Sequence, residues 1–278
     1  MEIQLAPQRI FALQDRLTAD EIRQRAMDRR TQAFGSGLGS LLQRPKPDDI
    51  ALVATQRRLE PFWHVACRAL YVYERDRDYA VPSSAPEVRE VVVEGTAYPV
   101  KEAGRTFTLP VREHCREESA HEVYTDGLTG LPVADAKNIV SGPSSEINDP
   151  ATLAADETIV VPPEQRASFV VRQLLAEMLK PVQADTVTEE SLTLERTDLY
   201  YRPVWTFEFD WRPREKRGVV EIDGVTGQTR QGRSLVPDLK RMVSRDVLFD
   251  IGADTAGLLI PGGSIAVKVA RAAMEKPR

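Results

Sequence analysis

The sequence predicts an α+β chain: two tandem helix-plus-antiparallel-sheet units, the first with an inserted β-subdomain, and a C-terminal helical tail. Three observations lead there. From Trp205 to Trp211 the residues alternate strictly, with Trp205, Phe207, Phe209 and Trp211 on one side and Thr206, Glu208 and Asp210 on the other, the pattern of a strand with one dry face. An earlier stretch echoes it, Pro61-Phe62-Trp63 against Pro203-Val204-Trp205, and Asp126-Gly127-Leu128-Thr129-Gly130 against Asp223-Gly224-Val225-Thr226-Gly227. Each copy is preceded by a helix signal. The expected division is a first unit at 1–134 with its insertion at about 79–112, a linker at 135–161, a second unit at 162–233 and the tail at 234–278.

Residues 1–16 are mixed and read as a strand or an ordered arm. Thr18-Ala19-Asp20-Glu21 is a capping box, with Leu17 and Ile22 spaced as a hydrophobic staple, so a helix is expected from Thr18 to about Phe34. Gly35–Ser40 is glycine-rich but follows a helix instead of a strand, which makes it a helix stop and not a phosphate cradle. Asp48–Asp78 reads as two long strands turning at the charged stretch Glu74–Tyr79, with Trp63, Val65, Cys67, Ala69, Tyr71 and Tyr73 on one face and His64, Arg68 and Leu70 on the other. Val88–Val93, Tyr98–Val100 and Arg105–Val111 are the short strands of the insertion. His121–Thr125 then takes the place that Gly218–Ile222 has in the second copy.

Ala134–Val161 is polar and rich in breakers, the composition of a linker. Pro162-Pro163-Glu164 opens a helix in which Ala167, Val170, Val171, Leu174, Leu175 and Met178 recur at helical spacing, ended by Lys180-Pro181. Arg212–Gly218 is a charged hairpin turn. Beyond Arg230, Leu235–Phe249 reads as a helix, and Ser264 caps a last one carrying Ile265, Val269 and Ala272 on one side.

With 278 residues, 42% of them hydrophobic, the chain can bury a substantial core, and a net charge of -5 removes the global basic field that nucleic-acid binding normally uses. Two cysteines are too few for a disulfide framework. The N-terminus lacks the basic start and apolar core of a signal peptide, so a cytoplasmic location is expected. No stretch approaches the length of a membrane span.

The one constellation with chemistry in it is His64, Cys67, His114, Cys115 and His121, which neighbouring strands could gather into a zinc or thiol site. Its spacing is poor: His64 and Cys67 are three apart and point to opposite faces of a regular strand. Asp126 and Asp223 each precede glycine and are read as accepting backbone hydrogen bonds in their own turns, with no catalytic role. No catalytic residue and no cofactor is assigned.

The segment Pro163–Arg230, and within it Val220-Glu221-Ile222-Asp223-Gly224-Val225-Thr226-Gly227, resembles the PepSY and PepSY-like domains; Glu122–Gly130 carries a weaker second likeness. The resemblance implies a cystatin-like helix-on-sheet fold and a non-catalytic binding or inhibitory module, and it supplies no site residue. The expected function is therefore a non-catalytic intracellular protein-binding adaptor or assembly component, reaching its partner through the tail at 247–276 or through the hairpin tips. Two rivals stand beside it: a zinc-binding or thiol-dependent protein built on the His/Cys set, and a peripheral membrane protein held by the tail.

Overall fold

A computed structural model describes residues 2–34, 45–154, 158–179, 181–231 and 268–271. Its centre is a pair of very long antiparallel strands, β3 (Ile50–Pro82) and β9 (Thr186–Trp211), which pair from Ile50↔Trp211 to Glu74↔Thr186. On the far side of β3 lie β6 (Thr106–Asp126), antiparallel, and the short parallel β8 (Ile159–Val160). On the far side of β9 lie β1 (Glu2–Leu5) and β2 (Gln8–Leu13), both parallel to it, and β10 (Lys216–Asp223), antiparallel. β7 (Ser144–Ile147) adds to β2, β11 (Thr229–Gln231) to β10, and β12 (Lys268–Arg271) to β1, which completes a ten-stranded mixed sheet. β4 (Glu90–Val93) and β5 (Thr96–Pro99) form a separate two-stranded hairpin in the connection from β3 to β6.

The expectation of two tandem helix-plus-sheet units is therefore wrong: the chain is mostly β, and one mixed sheet runs through both halves. The reason is the β3–β9 pairing. Each long strand satisfies its outward backbone groups on the other, so the two hairpins share one sheet and leave no seam between units.

The helices make the same point. α1 (Ala19–Asp28) precedes the β3–β6 hairpin in sequence yet packs on β9 and β10, while α3 (Ala167–Met178) precedes β9 yet packs on β3 and β6. Each is fastened at the other hairpin's corner: Gly224 O accepts from Arg16 N at 2.9 Å just before α1, and Gly127 O accepts from Glu164 N and Gln165 N at 2.8 and 2.9 Å just before α3. The indoles follow the same crossing, Trp63 Nε1 donating to Gln165 O and Trp205 Nε1 to Asp15 Oδ1, both at 2.8 Å.

Within that crossing the two hairpins are built alike. Phe62 stands opposite Asp126 and Val204 opposite Asp223. Each aspartate turns its Oδ1 back onto the two backbone N–H groups of its own corner, Leu128 and Thr129 in one, Val225 and Thr226 in the other, at 2.8 to 3.0 Å. Each corner closes on a glycine at positive φ, Gly130 at 73° and Gly227 at 70°, a conformation that a side chain would strain. Residues Asp126 and Asp223 are thus turn formers, as their sequence context implies.

Apolar alternation decides the packing. Trp63, Val65, Cys67, Ala69, Tyr71 and Tyr73 join Val170, Val171, Leu174, Leu175 and Met178 of α3 in the main core, and Phe207, Phe209, Val220 and Ile222 meet Ile22 and Ala26 of α1 in a second. Thr18 caps α1 with the full reciprocal box to Glu21, but the regular helix stops at Asp28 and a 3₁₀ segment continues it to Phe34. α3 begins at Ala167, later than Pro162-Pro163-Glu164 implies.

Two further expectations are corrected. Glu74–Tyr79 is no turn, because β3 runs straight through it to Pro82, and the strands of the insertion are β4, β5 and the first part of β6. Residues 268–271, expected in a terminal helix, form a strand on β1. The rest of the tail (232–267 and 272–278) and the Gly35–Ser40 loop lie outside the described residues. The segment expected as a linker, 135–161, carries α2 (Ala136–Val140), β7 and β8, the last two in the sheet. Among the described residues no helix is long and apolar enough to cross a membrane.

Candidate functional site

The five residues singled out for metal or thiol chemistry do not converge. His114 and His121 are seven positions apart on β6, about 23 Å at the rise of a strand. His114 stands opposite Glu74, with Nδ1 3.1 Å from Glu74 Oε1, and Cys115 stands opposite Tyr73. Cys67 and His121 are directly opposed on β3 and β6, but Cys67 is fully buried and burial pushes its thiol up to about 12, so it is a protonated core residue. His64 is on the opposite face, stacked on Tyr124 with ring centroids 4.2 Å apart, its Nε2 3.2 Å from Glu122 Oε2 and its buried Nδ1 without a partner. Burial lowers the His64 pKa against the opposing pull of Glu122. Among the described residues no group of three or more His, Cys, Asp or Glu is arranged to hold a metal.

A second polar cluster lies among the buried residues and is balanced within itself. Arg58 bonds Glu60 at 3.0 Å and also Glu221, Arg230 bonds Glu60 at 2.6 Å, and Arg202 faces Asp223 at 3.3 Å. Three cations against three carboxylates explain how these groups tolerate burial. They hold β3, β9, β10 and β11 in register.

A long open feature among the described residues is the outer edge of β6. Among the described residues β3 is the sole strand of the sheet that pairs with it, and seven consecutive residues, Arg116 to Glu122, are exposed. Among the described residues the edge is closed at its start, where Lys101 N donates to Thr106 O at 2.8 Å, and at its C-terminal end, where Asp126 N donates to Leu131 O and Tyr124 O accepts from Val133 N at 2.8 and 2.9 Å. Those bonds fix the phase: even-numbered residues turn their backbone groups away from β3, so Glu118, Ala120 and Glu122 present N–H and C=O outward.

Beside this edge, on the side of the main core, a trough separates β6 from α3. One bay of about 630 Å³ is lined by Val123, Thr125 and Val133 on one wall and Val170 and Leu174 on the other. The next, about 460 Å³, is lined by Tyr71, Tyr73, Glu117, Ser119 and His121 with Glu177 and Met178. Glu177 belongs to both bays, and its Oε2 lies 3.4 Å from His121 Nε2, so the pair bridges the walls. A sheet edge with a helix standing across a groove is the arrangement that accepts an added strand, the edge supplying hydrogen bonds and the groove holding alternate side chains.

Comparison with known proteins finds no match: no protein-family model, no curated protein and no solved structure matches this chain.

Sequence reasoning grouped His121 with the metal and thiol set and did not join it to Ala120, Glu177 and Leu174, which lie beside it around the trough. The available signal was the run Arg116–Glu122, which lacks the apolar alternation of a strand covered on one face. What could not be read was that α3, some fifty residues downstream, lies across it.

Proposed function

We propose that this chain is a non-catalytic protein-binding component, an adaptor or assembly part working in the cytoplasm, that takes an extended segment of its partner as one more strand on β6. The observation that carries this reading is the exposed edge Arg116–Glu122 lying beside the β6–α3 trough. Strand addition draws its affinity from main-chain hydrogen bonds that the edge already presents, and needs no rearrangement of the sheet. The alternating charges Arg116, Glu118 and Glu122 are what keep such an edge from pairing indiscriminately. The likeness of Pro163–Arg230 to PepSY-like binding modules points the same way.

The test is co-purification of the full chain and of its Ala120→Pro variant from the native cell, with amide exchange measured on the complex. Proline at 120 removes an outward N–H and no bond to β3, so the fold survives it. The expected result is a partner that protects the Glu118, Ala120 and Glu122 amides and is lost with the variant. A partner retained equally by both proteins, with those amides unprotected, overturns the reading.

A further inference from the structure

We infer that the strand received by β6 carries a lysine or arginine at the position opposite Ser119. The inference rests on the strand-addition reading and names the chemistry of its ligand. Direction comes first. Leu131–Val133 already runs antiparallel to β6 along the open edge, and an incoming strand that continues the same line runs antiparallel too. Directly opposed residues of antiparallel strands share a face. Val133 stands opposite Tyr124, so the chain itself fills the edge as far as Val123, and a ligand residue opposite Ser119, beyond that closure, points toward α3.

The bay beside Ser119 asks for a cationic side chain. Opposite Ser119 the neighbours along β6 are Glu117 and His121, with Glu177 across the trough. Glu117 makes no ion pair among the described residues, and Glu177 is matched only by His121 at 3.4 Å, both more than half exposed.

An independent feature lies at the back of the same bay. Tyr71 is 6% exposed, and its hydroxyl is shut from solvent without a hydrogen-bond partner. It stands opposite Glu117 on one neighbouring strand and Glu190 on the other. A buried hydroxyl left unpaired is unfavourable, and between carboxylates it is set to accept from a donor that brings positive charge. The rings of Tyr71 and Tyr73 offer apolar and π surface to the stem of a long cationic side chain. An ammonium or guanidinium satisfies all of these at once; a carboxylate meets only repulsion.

A random decapeptide library displayed on phage, selected on the full chain and counter-selected on Ala120→Pro, reads this directly. The expected outcome is an enriched lysine or arginine at one fixed position of the peptides, dependent on the β6 edge. Changing the basic residue of an enriched peptide to Glu weakens its binding about tenfold or more, and the exposed double substitution Glu117→Lys with Glu177→Lys reverses that preference. Enriched peptides that need the β6 edge but show no basic preference overturn the inference and leave strand addition standing. Peptides that bind Ala120→Pro equally, or no enrichment at all, overturn both.

Discussion

The β3–β6 and β9–β10 hairpins share a register, a corner and a helix fastened at that corner, yet they end differently at the edge. β10 is eight residues long and is covered by β11 from Val220↔Gln231 to Ile222↔Thr229. β6 is twenty-one residues long, and among the described residues its edge is open between the short closures at Thr106 and at Tyr124–Asp126. The shared parts are what any such hairpin needs to fold: an apolar face, a closed turn, a helix to cover it. The proposed binding edge lies where the copies part, on backbone groups that the described part of the fold does not use.

The largest effect that tests this division is at the two indoles. Trp63 is fully buried in the main core and Trp205 is only partly buried beside α1, although both donate from Nε1 at 2.8 Å. Trp63→Ala is expected to cost about 3–5 kcal/mol in denaturant unfolding, and Trp205→Ala about half of that. Equal losses would mean that the two halves bear load alike and that the β3–β6 half is not the main core.

The corners come next. The Asp223 carboxylate is buried, holds two backbone N–H groups and faces the buried Arg202, whereas Asp126 holds its corner at a less buried position. Asp223→Ala leaves Arg202 without its counter-charge and is expected to cost about 3 kcal/mol. Asp126→Ala removes turn bonds only and is expected to cost about 1 kcal/mol. The same unfolding titration decides, and a reversed order would show the six-charge cluster to be unimportant.

Much of this was legible in the sequence and some was not, for definite reasons. Alternation assigned the faces of β3 and β9 correctly, since it reports which side is dry and nothing else is needed. It failed at Glu74–Tyr79 because a charged run looks like a turn when its partners are out of sight. Those partners are across the ribbon: Arg75 bonds Glu113, Asp76 meets Arg112 at 2.9 Å, and Tyr79 bonds Glu113, so the charges zip two strands together. The crossing of the helices had no signature at all, because an amphipathic face says that something covers it but not which strand. The trough depends on that crossing and was hidden with it.

His64 sharpens the comparison on the pH axis. Its pKa lies below the ordinary 6.5, chiefly through burial, with Glu122 and Asp198 raising it and Arg196 lowering it. Below pH 6.5 the unfolded chain takes up a proton that the folded chain refuses, so stability is complete above that value and falls as pH drops through the window beneath it. The pKa of Glu122 is held low, first by Lys137, so its contribution is lost only further down, in the carboxylate range. Unfolding free energy measured against pH is expected to decline below 6.5 in the native protein, and His64→Gln is expected to flatten that part of the curve. A decline unchanged in the variant would place the titrating group elsewhere.

The smallest expected effect separates the two helices themselves. Thr18 Oγ1 accepts from Glu21 N at 3.3 Å, and Glu21 Oε2 accepts from Thr18 N at 2.8 Å, whereas α3 starts after Arg166 with no side-chain cap. α1 needs the box because it brings only Ile22 and Ala26 into the core, against seven buried residues on α3. A helix with little buried face depends on its ends, and one with a wide buried face is held by packing. Thr18→Ala is therefore expected to cost about 1 kcal/mol and to raise amide exchange in α1 before any other element. If the loss appeared equally over α3, the two helices would be coupled through the corners that fasten them, and the halves would unfold as one.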